Sequence, residues 1–299
     1  MFPLTLKNPL LSLQRSPLFQ NPVSKLQNLA ALVSKKYALP ALNASCPTWG
    51  LFVRQNIPYG PLSRHQLDLY IPQDATNAPM VVFVHGGVWS WGSKEDYKFV
   101  GESLARSGIV TAVINYRLAP EVVYPAFIDD TILAMRWAVS NAEMFGVNSE
   151  QIFLMGHSAG AFNIVDAIVS EEKLEMCGLK ASQFAGIIAV AGPYDFDQTI
   201  EEIAHIFKGS ERREVMPVHK VKEGLPPFLM LQAGEDEIIE EGYVMGMVKA
   251  LEDKSVEVKY VKVEDVNHAH IIGSVASRLG FMSPSVKPTI LGFISNPAA

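Results

Sequence analysis

"QIFLMGHSAGAFNIV" (residues 151–165) is the stretch whose reading decides the fold. An apolar run ends in Gly-His-Ser-Ala-Gly, and small and apolar residues follow. The first part has the length of a buried strand, and the second reads as a helix. A serine between two glycines at such a junction is either an ordinary turn or a nucleophile. A sharp turn makes the hydroxyl protrude, and Gly156 and Gly160 leave room where a side chain would meet neighbouring backbone. At the start of a helix the Ala159 N–H is left free to face a developing oxyanion. A serine hydroxyl is a poor nucleophile at neutral pH without a positioned base. The choice therefore rests on finding partners.

Working outward, the chain alternates between two periods. "LFVRQNIPY" and "HQLDLYI" read as early strands joined by a turn at "GPLS". "PMVVFVHGG" (79–87), "IVTAVINY" (109–116), "QIFLMG", "FAGIIAVAG" (184–192), "PPFLMLQAG" and "VEVKYVKV" supply further strands. Between them lie helical stretches: "KEDYKFVGESLARSG", ending at a C-cap in Gly108; "AFIDDTILAMRWAVSNAEMFG" (126–146); "AGAFNIVDAIVSE"; "EEGYVMGMVKALED"; and finally "VKPTILGFIS". Strands alternating with helices imply a mostly parallel sheet covered on both faces. Residues 51–299 are expected to form this catalytic domain. Residues 193–227 break the rhythm and read as a lid-like insertion. Residues 1–50, with helical spacing over 24–39 and several prolines, form an N-terminal helical segment and a second candidate lid.

In open parallel sheets, sites form beyond the carboxyl ends of the strands. After "VVFV" come His85, Gly86, Gly87, Val88 and Trp89; after "QIFLM", Ser158; after "FLMLQ", Asp236 and Glu237; after "VEVKYVKV", His268. These ends supply a glycine-rich loop, a hydroxyl, a carboxylate and an imidazole. His268 is read as the base, with His270 its rival, and Asp236 as the orienting acid, with Glu237 its rival. Backbone N–H groups of Gly87, Val88 and Ala159 are the expected oxyanion donors. Trp89, Trp91 and Tyr194 are candidate pocket residues, though aromatics beside a glycine loop also serve as packing. His268 and His270 lack a nearby third ligand cluster, so no metal is expected.

Composition sets the boundaries. The 299 residues are 48% hydrophobic and 19% charged, enough apolar material for one substantial core. The net charge of −6 and the absence of a dense Lys/Arg run argue against nucleic acid. No apolar run reaches the length of a spanning helix, so no integral membrane segment is expected. "MFPLTLKNPLLSLQRSPLF" is broken by Pro3 and Pro9 and does not read as a signal peptide. Cys46 and Cys177 read as free thiols. The expected location is cytoplasmic, the expected partner a small molecule, and a homodimer is compatible with the chain.

Taken together, "HGGVW" (85–89), "YRLAPE" (116–121), "YPAFIDD" (124–130), "GHSAG" (156–160), "GEDEII" (234–239) and "VNHAH" (266–270) resemble the α/β-hydrolases. "YRLAPE" is similar to the hormone-sensitive-lipase-like carboxylesterases. The loop departs from their "HGGG", and its "HGGxW" form is more similar to kynurenine formamidase-like and related bacterial esterases. The resemblance implies an eight-stranded sheet with helices on both faces and a small lid, a Ser158–Asp236–His268 triad, and no cofactor. It also casts Arg117 and Asp130 as a structural charge pair near the site. The expected activity is a serine carboxylesterase acting on small acyl or aromatic esters. The alternatives are an arylformamidase and a non-catalytic ligand-binding protein on the same fold.

Overall fold

The computed structural model describes residues 39–44, 46–277 and 283–297. Most of the expected N-terminal segment, including its helical spacing up to residue 38, lies outside the described residues. Eight strands form one sheet: β1 Leu51–Pro58, β2 Gln66–Pro72, β3 Ala78–Val84, β4 Val110–Ile114, β5 Val147–His157, β6 Gly186–Val190, β7 Phe228–Ala233 and β8 Val258–Val263. Their order is β1-β2-β4-β3-β5-β6-β7-β8. β2 is antiparallel to both its neighbours, and every other pair is parallel. The helices, in chain order, are α1 Leu39–Ala44, α2 Lys98–Ala105, α3 Ala126–Asn141, α4 Ala159–Val169, α5 Glu171–Met176, α6 Glu201–Ala204, α7 Arg212–Val215, α8 Glu241–Glu252, α9 His268–Gly273 and α10 Val286–Ser295.

The sheet is buried on both faces because the central runs at residues 80–84, 152–155 and 187–190 are apolar at every position. Strand alternation sends Met80, Val82 and Val84 of β3 into one core and Val81 and Phe83 into the other. β5 splits likewise, Ile152 and Leu154 against Phe153 and Met155. α3, α4 and α8 cover the first face, with Phe127, Phe162 and Met247 among their contributions. α2, α9 and α10 cover the second with Phe99, Ile271 and Phe293. Each such side chain contributes about 2 kcal/mol by leaving water, so the sheet is held mainly by these two layers. β5 begins earlier than the apolar run suggests. Its stretch from Asn148 to Glu150 is polar and more exposed, and the pairing with β3 shifts register between Ala78 and Met80.

The strand order reverses between β3 and β5: β3 is followed in the chain by β4 on one side, then by β5 on the other. Such a switch point opens a crevice at the carboxyl ends. Val84 pairs with Gly156 there, so the loop after β3 and the turn after β5 emerge side by side.

The "YRLAPE" motif braces this crevice. Tyr116 Oη donates to His85 O at 3.1 Å, and Ala119 N donates to Trp89 O at 2.8 Å. Arg64 bridges Tyr116 O and Gly92 O. The expected Arg117–Asp130 pair is present and has a third member. Asp130 is fully buried and accepts from the Arg117 guanidinium, the Arg117 backbone N–H at 2.8 Å and His65 Nε2 at 2.9 Å. Replacing Asp130 by Ala leaves these donors without an acceptor. The expected cost is about 3 kcal/mol, at the low end for a buried pair because Arg117 keeps 28% of its side chain in solvent. Urea unfolding of Asp130→Ala against the wild type measures it.

Candidate active site

The turn after β5 holds Ser158 at φ 55°, ψ −123°. A non-glycine residue rarely adopts this left-handed backbone, at a cost of about 1–3 kcal/mol. The sequence around it makes the turn possible. A Cβ on Gly160 would collide with the backbone oxygens of Val84 and His85, and one on Gly156 would collide with Gly160 O. The turn is tied down from both sides, Ser158 N donating to Val190 O at 2.9 Å and Phe162 N donating to Ser158 O at 3.1 Å.

The loop after β3 lies directly against this turn. A Cβ on Gly86 would sit 3.1 Å from the Ser158 Cβ. Gly87, Val88 and Trp89 then run with φ of 131°, 50° and 54°. Positive φ at a β-branched residue is an outlier, and Val88 is 42% exposed, so its own packing does not explain the conformation. Among the described residues, no acceptor faces the N–H groups of Gly87, Val88 or Ala159. The loop is pinned by the next residue: Trp89 is buried, donates from Nε1 to Asn163 Oδ1 at 2.8 Å, and contacts the rings of Phe127, Phe162, Phe196 and Phe207.

The loops after β7 and β8 meet at a second point. Gly234 N donates to Val263 O at 2.7 Å and Glu235 N to Val266 O at 2.9 Å. Asp236 Oδ1 accepts from the N–H groups of Ile238 and Ile239, both at 2.9 Å, which fixes the carboxylate. Its Oδ2 lies 2.9 Å from His268 Nδ1. A carboxylate only accepts, so Nδ1 carries the proton and Nε2 keeps its lone pair. Asn267 caps α9, accepting from Ala269 N and His270 N, and places His268 in the first turn. Burial pushes the Asp236 carboxyl up, but the hydrogen bond and charge of His268, with the Ile239 and Ile238 N–H groups, more than reverse this and hold it below its ordinary value. Glu237 and His270 are both exposed, away from this pair.

His268 reaches the serine turn through His157, their ring centroids 4.8 Å apart. Ser158 Oγ makes no hydrogen bond to a described residue in this geometry. Of the candidate pocket residues, Trp91 is half-buried and Tyr194 is fully buried against Gly192. Among the described residues no cluster of three or more His, Cys, Asp or Glu could hold a metal, and no helix is long and apolar enough to cross a membrane. Among the described residues, Cys46 and Cys177 form no disulfide.

Sequence reasoning passed over His157, Tyr97 and Asn163. The signal for His157 was present, a titratable residue at the last position of a buried strand next to the serine. Asn163 had a weaker one, a polar residue on the small-residue face of α4. Tyr97 carries no local signal, because only tertiary packing brings it to His157.

The BD-FAE family model matches residues 67–251, more than half of the chain. A probable isoprenylcysteine alpha-carbonyl methylesterase of Oryza sativa subsp. japonica is 29% identical over 181 residues, covering 59% of this chain and 43% of that protein. Kynurenine formamidase of Salmo salar is 30% identical over 141 residues, covering 47% of this chain and 46% of that protein. The chain spans about half the length of the curated relatives it matches. The crystal structure of esterase B from Lactobacillus rhamnosis superposes with a TM-score of 0.74 at 19% identity, over 91% of this chain and 93% of that one. By the family match and the architecture together, the chain belongs to the BD-FAE family and has the α/β-hydrolase fold.

Proposed function

We propose that the chain is a serine carboxylesterase that hydrolyses small acyl or aromatic esters through an acyl-enzyme. The observation that carries this reading is the 2.9 Å contact of His268 with Asp236, beside a serine held in a left-handed turn. Ser158 attacks the carbonyl while His268 Nε2 takes its proton, and Asp236 stabilises the imidazolium. The oxyanion is held by the N–H groups of Gly87, Val88 and Ala159, each such donor contributing about 3 kcal/mol to the transition state. His268 then protonates the leaving alcohol, and water resolves the acyl-enzyme by the same groups. The base–nucleophile hydrogen bond tightens as substrate binds, as is common where resting geometry is loose. Residues 193–227 act as the lid-like insertion. They carry Phe196 and Phe207 onto Trp89, and Tyr124 N donates to Ile206 O at 2.8 Å.

A second reading, formamide hydrolysis, is supported by the likeness to the kynurenine formamidase of Salmo salar and by the "HGGVW" loop. The same machinery serves both. A panel of p-nitrophenyl acetate, p-nitrophenyl butyrate, a methyl ester and N-formylkynurenine separates them by kcat/KM. Higher kcat/KM on the formamide than on every ester sinks the ester reading. Ser158→Ala is expected to lower kcat by at least about 10⁴-fold with the fold unchanged. A ligand-binding protein on this fold would not be labelled by a fluorophosphonate at Ser158.

The two carboxylates after β7 are expected to separate cleanly. Asp236→Asn lowers kcat by about 10⁴-fold, since the amide favours the wrong tautomer of His268, whereas Glu237→Gln stays within about threefold because its solvated carboxylate faces no ring. Asp236 also carries a pH signature. Its folded pKa is depressed, so the ionised carboxylate contributes stability above its unfolded value of about 3.9 and loses it as pH falls through the folded value. The stability gap between wild type and Asp236→Asn, read by urea unfolding, is therefore wider at neutral pH than below about pH 3.

A further inference from the structure

We infer that His157 is a positioning residue for the base, fixing His268 through its backbone; the inference rests on the triad reading above. His157 is the last residue of β5 and is 5% exposed. Its Nε2 lies 3.0 Å from the backbone carbonyl of His268. A carbonyl only accepts, so Nε2 carries the proton and Nδ1 is the acceptor. Tyr97 Oη lies 3.3 Å from that Nδ1 and donates to it. A Cβ on Gly86 would lie 3.1 Å from that Nδ1, so the glycine loop packs directly against the ring. A chain of hydrogen bonds thus runs from Tyr97 through His157 to the first turn of α9.

This chain joins parts that nothing in the primary sequence holds together. Asp236 and the Asn267 cap orient His268 from the side of β7 and β8. Neither refers its position to the serine turn. His157 does, because it is covalently adjacent to Ser158 and its ring centroid lies 4.8 Å from that of His268. Burial, with the His268 charge second, pushes the His157 pKa down to about 3. The ring therefore stays neutral while its neighbour becomes imidazolium. A neutral donor to a carbonyl places the loop without opposing the charge that the reaction builds on His268.

The test compares the full-length wild type with His157→Gln, His157→Phe and Tyr97→Phe. For each, kcat and KM on p-nitrophenyl butyrate, the rate of fluorophosphonate labelling at Ser158 and Tm are measured. Gln places an amide N–H where the imidazole Nε2–H stood; Phe keeps the ring and removes the donor. His157→Phe is expected to lower kcat and labelling about 100-fold with KM within about threefold, and His157→Gln to recover to within about tenfold of wild type. Tyr97→Phe falls between the wild type and His157→Phe, since the donor remains and only its tautomer is released. Near-wild-type turnover by His157→Phe overturns the inference. So do equal losses in Gln and Phe that track Tm, which would mark a merely structural histidine. Should His157→Phe not fold, His157→Asn replaces it, because its amide reaches the Nδ1 position and not Nε2. Asn slow and Gln fast supports the role, and equal rates overturn it. A wild type that labels at Ser158 but leaves the ester intact sinks the ester reading alone, and the labelling rates still decide the role of His157. A wild type that does neither sinks both.

Discussion

The site depends on one close approach of backbones. β3 and β5 are neighbours at the switch point, where Val84 pairs with Gly156; β3 ends there and β5 one residue later, at His157. The two turns can share that space only because Gly86, Gly156 and Gly160 present no Cβ to the carbonyl oxygens across the gap. This steric condition sets the glycine loop and the serine turn side by side at the crevice. Everything charged in the site is arranged around this uncharged contact.

The histidine and its acid answer a different requirement, that of orientation. Each loop is short, so its direction is set by hydrogen bonds at its root. Glu235 N to Val266 O joins the loops after β7 and β8, and the Asx turn at Asp236 leaves one carboxylate oxygen free for the imidazole. A carboxylate with one oxygen satisfied by backbone and the other by Nδ1–H has little reason to move. The serine half is braced independently, by Trp89 on Asn163 and by Tyr116 and Arg64 under the glycine loop. Two separately stiffened halves then need a relation to each other, and His157 spans them.

Much of this was legible in the chain. Apolar runs such as Val81–Val84 and Phe153–Met155 identify strands because only a strand buried on both faces needs every position apolar. The residue following each run could then be assigned to the site, because parallel strands end on one edge. Ser158, Asp236 and His268 are picked out in this way, and Asp236 and His268 lie 2.9 Å apart. What could not be read was tertiary. The start of β5 is polar and paired irregularly, so periodicity missed it. His65 joins Asp130 from a turn before β2, far from the motif that announced the pair. Val88 and Trp89 take left-handed backbone that composition would reserve for glycine. Such conformations arise only where surrounding packing over-determines them.

That last point explains why a bulky tryptophan follows the glycine loop. Three non-glycine residues of the site, Val88, Trp89 and Ser158, sit at positive φ, each at a cost of about 1–3 kcal/mol. Without surrounding packing, such a loop would relax to a commoner backbone conformation. Burying one indole among four phenylalanine rings recovers energy of the same order, and its single polar atom finds a partner on α4, the helix that starts at the serine turn. Two of those rings, Phe196 and Phe207, belong to the 193–227 excursion. The strained loop is therefore held in place by a cluster that also packs the 193–227 excursion. Loosening that excursion would loosen the loop, so the two form one packed unit.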